Sequence, residues 1–243
     1  SNIANVGLVL GVTLLLSNIT LERDATWIDL PLLMVVVLVT WFLLYDLELS
    51  RSNSLVLLGM LALFFFRVAQ HAKQSDDDIE AREIPTLTLP LAWLSFLGGL
   101  ALLIASSRIL VWAASHIATE LGVSELVIGL TIVAVGTSLP ELAASVMSAL
   151  KGHADMAVGA IVGSNMFNIL LVLAIPGLWG SLSLQAAVVS RDMVAVFLTT
   201  LVLALTALWR WNGASESSTL GRGTGLLLLS LYIAYYGWLF LVP

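Results

Sequence analysis

Apolar residues gather into eight long stretches, at about 1–16, 30–46, 54–70, 90–114, 123–150, 155–178, 191–211 and 223–242. Short polar breaks separate them. A helix that crosses a bilayer needs roughly 20 mostly apolar residues. The pattern therefore predicts eight membrane helices, the first of them short. One connection is not brief: "HAKQSDDDIEAREIPTLTLP" at 71–90 is polar, acidic and carries prolines. It reads as a linker between two halves.

The halves repeat each other. "SNIANVGLVLGV" opens the chain and "SNMFNILLVLAI" starts at Ser164. Ser1, Asn2 and Asn5 match Ser164, Asn165 and Asn168, an offset of 163 residues, and Asp29 matches Asp192 at the same offset. "LSRSNSLVLL" then resembles "LGRGTGLLLL", displaced by eight residues more. The matching stretches are the first and sixth, five crossings apart. An odd separation makes the two copies run oppositely through the bilayer, the inverted repeat of many secondary transporters. The fold class expected is an all-α multi-pass membrane protein of inverted five-helix repeats, ten helices in a parent chain and about eight here. Residues 1–70 would be the remainder of the first repeat, with a partial third helix and complete fourth and fifth. Residues 71–90 would be a cytoplasmic linker and 91–243 a complete second repeat. On this reading the chain is an N-terminally truncated fragment whose partners include the missing N-terminal helices, and by itself it would transport poorly.

Composition sharpens the class. Hydrophobic residues make up 59% of the 243 and charged residues 11%, with a mean hydropathy of +1.01. A water-soluble domain carries about 25% charged residues. Cys is absent, which excludes disulfides and thiolate metal sites. Seven basic residues (Arg23, Arg67, Lys73, Arg82, Lys151, Arg210, Arg222) fall on one side of the alternating loops, against Arg51 and Arg191 on the other. By the positive-inside rule this puts 71–90 and 151–154 in the cytoplasm. The ten basic residues are scattered, so nucleic acid is not an expected partner; the lipid bilayer is. The expected location is the bacterial inner membrane.

The chemistry sits in "VAVGTSLPELAAS" at 133–145. Pro140 cannot donate a backbone hydrogen bond and its ring crowds the carbonyl of Gly136. The helix should break there, which membranes tolerate only where backbone lines a cavity or is buried in protein. Glu141 follows directly, although a charge at the bilayer centre costs about 2.5–3.5 kcal/mol even on lenient scales. Thr137, Ser138 and Glu141 share one helical face. Ser164 and Asn168, four apart on the next helix, share another. From the intervening turn, Glu141 lies about 15 Å and Asn168 about 20 Å into a core about 30 Å thick. The groups converging at the midplane are hard oxygens, which suit Ca²⁺ or Na⁺.

"GLTIVAVGTSLPELAASV" followed by "DMAVGAIVGSNMFNILLVL" (motifs within 129–175) resembles the second α-repeat of the calcium:cation antiporter superfamily, the sodium/calcium exchangers. The resemblance implies that Glu141 binds the exchanged cations together with Thr137, Ser138 and a carbonyl near Ala134. Ser164 and Asn168 would join from the neighbouring helix, and Ser1 and Asn5 from the first repeat. Some exchangers carry Asp where Asn168 stands, so this site would hold fewer carboxylates. The function implied is antiport of Ca²⁺ against Na⁺ by alternating access; a cation/proton antiporter or a passive cation channel are the alternatives. No cofactor is expected beyond the transported Ca²⁺ and Na⁺. An intramembrane serine hydrolase using Ser138 would need a base at the same depth, and no His or Lys lies there; an enzyme is not expected. Three further expectations are structural. "GLVLG" (Gly7 to Gly11) and "GAIVG" (Gly159 to Gly163) have the spacing of close helix packing, and Asp29 and Asp192 belong at helix N-termini.

Overall fold

In lipid no water is available to bond the backbone, so each apolar stretch closes its N–H and C=O groups on itself as a helix. The structure, a computed structural model, describes residues 1–74, 88–123, 128–152 and 154–241. The chain divides into two compact units, Ser1–Leu61 with Glu141–Pro243, and Ala62–Pro140.

The first unit opens with α1 (Asn2–Leu16) and strand β1 (Ile19–Glu22), then α2 (Ala25–Leu43) and β2 (Glu48–Leu49). The start of α3 (Arg51–Gln74) belongs to it as well. The unit resumes at Glu141 and contains α7 (Ala154–Phe167), which continues through Asn168–Val172 into α8 (Ala174–Trp179). Strand β3 (Leu182–Ser183), α9 (Val188–Trp209), β4 (Trp211–Asn212), β5 (Ser217–Leu220) and α10 (Arg222–Leu241) complete it.

Five helices among the described residues are long and apolar enough to cross a membrane, or six with one broken pair; α1 is shorter. The helices fall where the apolar stretches predict. Two begin earlier than expected, at Ala25 and Val188, because a wide π-helical turn precedes the regular α-helix in each. Asp29 and Asp192 stand where these turns give way to α-helix, and neither side chain caps it. Asp192 is instead held by Arg191 Nε at 2.8 Å and by the Tyr235 hydroxyl at 3.1 Å. Helix α3 also runs to Gln74, into the stretch read as linker; residues 75–87 of that stretch lie outside the described residues.

The short strands were not foreseen, and they fix the topology of this unit. β2 pairs antiparallel with β3, Glu48 opposite Ser183 and Leu49 opposite Leu182. At the other end of α2, β1 pairs with β5, which pairs with β4. β1 precedes α2 and β2 follows it, whereas β3 precedes α9 and β4 follows it. Since β2 meets β3 and β4 is joined to β1, α2 and α9 must run antiparallel. The repeats are therefore inverted. Their strands obey the 163-residue register as well: Ile19 matches Leu182, and Glu48 matches Trp211.

Helix α1 lies against α10 through glycines. A Cβ on Gly11 would stand 2.8 Å from Leu229 Cγ, one on Gly225 2.8 Å from the Gly11 carbonyl, and one on Gly7 2.8 Å from Tyr232 Cβ. Close backbone approach of this kind replaces the hydrophobic effect, which gives helices no reason to associate in lipid. The same expectation fails for Gly159 and Gly163. Nothing among the described residues comes within 4 Å of a Cβ at either.

The second unit holds the rest of α3, then α4 (Leu89–Glu120), a π-helical turn at Gly129–Val133 and α5 (Ala134–Thr137). Helix α4 has 32 residues, about 48 Å at 1.5 Å per residue, six beyond the stretch predicted to end at 114. It exceeds a hydrocarbon core of about 30 Å, so it tilts or projects. Ala118 is its buried residue, while Trp93, Phe96, Leu102, Ile109 and Trp112 are exposed. A surface this apolar requires lipid around it.

Candidate ion-binding site

The predicted break occurs at Ser138. Its φ of −96° and ψ of 1° leave the helix, and its N–H bonds to the Val135 carbonyl at 3.0 Å. A new helix, α6 (Leu139–Leu150), starts at once. Pro140 then occupies the first turn, where its missing N–H costs nothing. Glu141 falls in that same first turn, where the positive end of the helix dipole favours a carboxylate. The sequence thus breaks the helix and places an anion at the start of the next by one device. Gly136 is required by packing: a Cβ there would collide with Val111.

Helices α1 and α7 both change pitch at their asparagine. Asn5 opens a π-helical turn, Asn5–Leu10, and Asn168 opens another, Asn168–Val172. In the second, the Leu173 N–H reaches back five residues to the Asn168 carbonyl at 3.0 Å. Such turns widen the helix and re-aim its side chains, and they recur at functional sites.

The asparagines then reach across the seam. Asn5 Nδ2 donates to Ser164 Oγ at 3.2 Å and to Asn165 Oδ1 at 3.1 Å. Asn168 Nδ2 donates to Ser1 Oγ at 3.4 Å and to Asn2 Oδ1 at 3.1 Å. Subtracting the repeat offset turns one set of partners into the other. Each repeat's asparagine grips the Ser-Asn pair of its mate.

Glu141 closes the arrangement. Ser164 Oγ, already an acceptor from Asn5, donates to Glu141 Oε1 at 3.5 Å, the long limit of a hydrogen bond. Two oxygens here are buried with no hydrogen-bond partner: Asn5 Oδ1 and Glu141 Oε2. The other such side-chain atoms among the described residues are Ser and Thr hydroxyls. An unpaired buried acceptor is costly, and a carboxylate more so. Together with the Ser164 hydroxyl they form a hard-oxygen donor set of the kind Ca²⁺ and Na⁺ accept. No group of three or more His, Cys, Asp or Glu side chains among the described residues is placed to hold a metal ion; beside the Glu141 carboxylate, the Asn5 and Ser164 oxygens are neutral.

Of the predicted site residues, Ser1, Asn5, Glu141, Ser164 and Asn168 come together in the first unit. Ala134 and Thr137 lie on α5 and Ser138 in the turn after it, in the second unit; their contribution rests on the motif alone. Sequence reasoning missed Asn2 and Asn165 as site residues. Their match across the repeat was the available signal.

Two antiparallel repeats of apolar helices define a multi-pass integral membrane protein, in which the half-buried Glu141 carboxylate stands beside Ser164. The sodium/calcium exchanger protein family model matches residues 91–241. CaxA of Alkalimonas amylolytica is 39% identical over 248 residues, covering 99% of this chain and 76% of its own. The inner membrane protein YrbG of Escherichia coli (strain K12) is 36% identical over 250 residues, covering 99% and 74%. Among solved structures, the sodium-calcium exchanger NCX_Mj soaked with 100 mM Na⁺ and 10 mM Sr²⁺ superposes with a TM-score of 0.77 at 27% identity, over 97% of this chain and 73% of that one. The chain belongs to the sodium/calcium exchanger family. It is a cation antiporter and not an enzyme.

Proposed function

We propose that this protein exchanges Ca²⁺ for Na⁺ by alternating access, in the inner membrane where its relative YrbG is named as residing. Glu141 is the charged ligand, and Ser164, Asn5, Asn168 and Ser1 supply neutral oxygens around it. The observation that carries this reading is Glu141 Oε2, buried without a hydrogen-bond partner beside Ser164, on the seam where the repeats exchange hydrogen bonds. A cation there would satisfy an oxygen that the protein leaves unsatisfied. The inverted repeats support alternating access, since movement of one against the other opens a midplane site to each side in turn. The solved exchanger NCX_Mj, studied with Na⁺ and Ca²⁺, supports the pairing of ions.

The test is ⁴⁵Ca²⁺ uptake into liposomes holding the reconstituted full-length protein, with Na⁺ inside. Glu141→Gln removes the charge with little change of shape and is expected to reduce uptake to the protein-free background. Uptake that survives this substitution would remove Glu141 from the role assigned to it.

A further inference from the structure

A cavity of about 470 Å³ opens at the start of α2, away from the seam, lined by Arg23, Asp24, Trp27, Ile28, Trp211 and Glu216 among others. Its size is that of a small-molecule site. Arg23, Arg210 and Arg222 lie on the loops at this end, the side that the positive-inside rule makes cytoplasmic. We propose that the cavity binds the headgroup of a phosphatidylethanolamine from the cytoplasmic leaflet, with an acyl chain lying along α2.

The walls bear both charges the headgroup needs. Arg23 Nη1 and Glu216 Oε1 stand 3.8 Å apart, and their side chains are 67% and 65% exposed. A pair so long and so wet contributes little, so a ligand that brings a phosphate to Arg23 and an ammonium to Glu216 loses little by replacing it. Two carboxylates against one guanidinium leave the lining net negative, which disfavours a head that carries phosphate alone. Trp27 and Trp211 meet edge to face with centroids 5.7 Å apart, and indole faces attract an ammonium. Glu216 then discriminates between ammonium groups. A primary ammonium donates hydrogen bonds to a carboxylate; a choline head has no N–H to donate.

The depth and the surroundings fit a lipid. Trp209, exposed beside Trp211, carries the Arg210 guanidinium over its ring at 5.6 Å, and indoles gather at headgroup level. From the cavity wall an exposed apolar stripe runs the length of α2 through Trp27, Pro31, Val35, Leu38 and Phe42, the spacing of one helix face. It gives an acyl chain a continuous track. The inverted repeat supplies the comparison. At the other end of the fold Ala186, Ala187 and Ser190 stand where Arg23, Asp24 and Trp27 stand here, at the offset of 163. Glu216 lies in the eight residues by which the second repeat exceeds the first. The repeated backbone therefore does not bring this chemistry with it; side chains particular to the cytoplasmic end supply it.

The test is native mass spectrometry of the full-length protein in detergent, offered equal amounts of phosphatidylethanolamine, phosphatidylcholine and phosphatidylglycerol with the same acyl chains. The wild type is expected to retain phosphatidylethanolamine on the order of tenfold more than either competitor, the difference one charge-assisted hydrogen bond makes. Glu216→Gln is expected to bring phosphatidylethanolamine down to the level of phosphatidylcholine, and Arg23→Gln, which faces the phosphate common to both, to lower the two together. Equal retention of the three lipids by the wild type, or a selectivity that survives Glu216→Gln, overturns the proposal. Glycerophosphoethanolamine, the head without its chains, is expected to displace none of the bound lipid at equal concentration; displacement would assign the cavity to a soluble compound instead. Should a variant fail to fold, the wild-type comparison decides without it.

Discussion

Ser164 is the hinge of the site at the residue scale, because one hydroxyl serves two partners. It accepts from Asn5 and donates to Glu141. Ser164→Ala strips both in one step, leaving an amide hydrogen and a second carboxylate oxygen unpaired. Each buried group so orphaned costs about 1–3 kcal/mol. The expected result is a cation KM raised on the order of tenfold or more in liposome uptake, with the protein still folded. Glu141, Ser164, Asn5 and Asn168 were legible in the sequence, since breaks and polar residues stand out in an apolar run. The grip of each asparagine on the opposite Ser-Asn pair was not. It joins residues 159 to 167 positions apart, and no local pattern encodes which end of an amide faces which neighbour.

The repeats differ by an insertion at the scale of elements. Register holds from Ser1 against Ser164 to Ser50 against Gly213, then slips by eight residues before Arg51 meets Arg222. Those eight carry β5, which lies between β1 and β4. On the opposite end of α2 no strand intervenes and β2 meets β3 directly. The symmetry mates of Glu48–Ser183 and Leu49–Leu182 are Trp211–Thr20 and Asn212–Ile19. Deleting residues 214–221 should let these close. With Cys placed at Thr20 and Trp211, in a chain that has no other Cys, oxidation is expected to cross-link the shortened protein. It should leave the full-length form unlinked, because two strand spacings of about 4.8 Å exceed the roughly 7 Å a disulfide can bridge. Equal cross-linking in both forms would contradict the pairing. Hydropathy located the helices to within a few residues. It did not reveal the strands, because segments of two to four residues are too short for an alternation to register. The slip of eight was visible; that it makes a strand was not.

The chain as a whole is a cation antiporter, and the Na⁺ coupling proposed for it is tested at this scale. Asn5 and Asn168 are neutral, which leaves Glu141 as the carboxylate of the described seam. The expectation is that an outward Na⁺ gradient drives Ca²⁺ uptake and that a pH gradient of equal driving force, imposed without Na⁺, does not. Uptake under the proton gradient alone would reassign the coupling to H⁺. The sequence by itself determined the membrane class, the inverted repeat, the broken helix and the carboxylate at its restart. These follow from hydropathy, parity and the chemistry of Gly and Pro, all of which act within a turn or two of chain. Only the tertiary structure decided how the repeats meet: amide to Ser-Asn pair, strand to strand, glycine to glycine. Those contacts join distant residues, and their energies depend on orientation and on which oxygen is left without a partner, which a linear string of residue types does not carry.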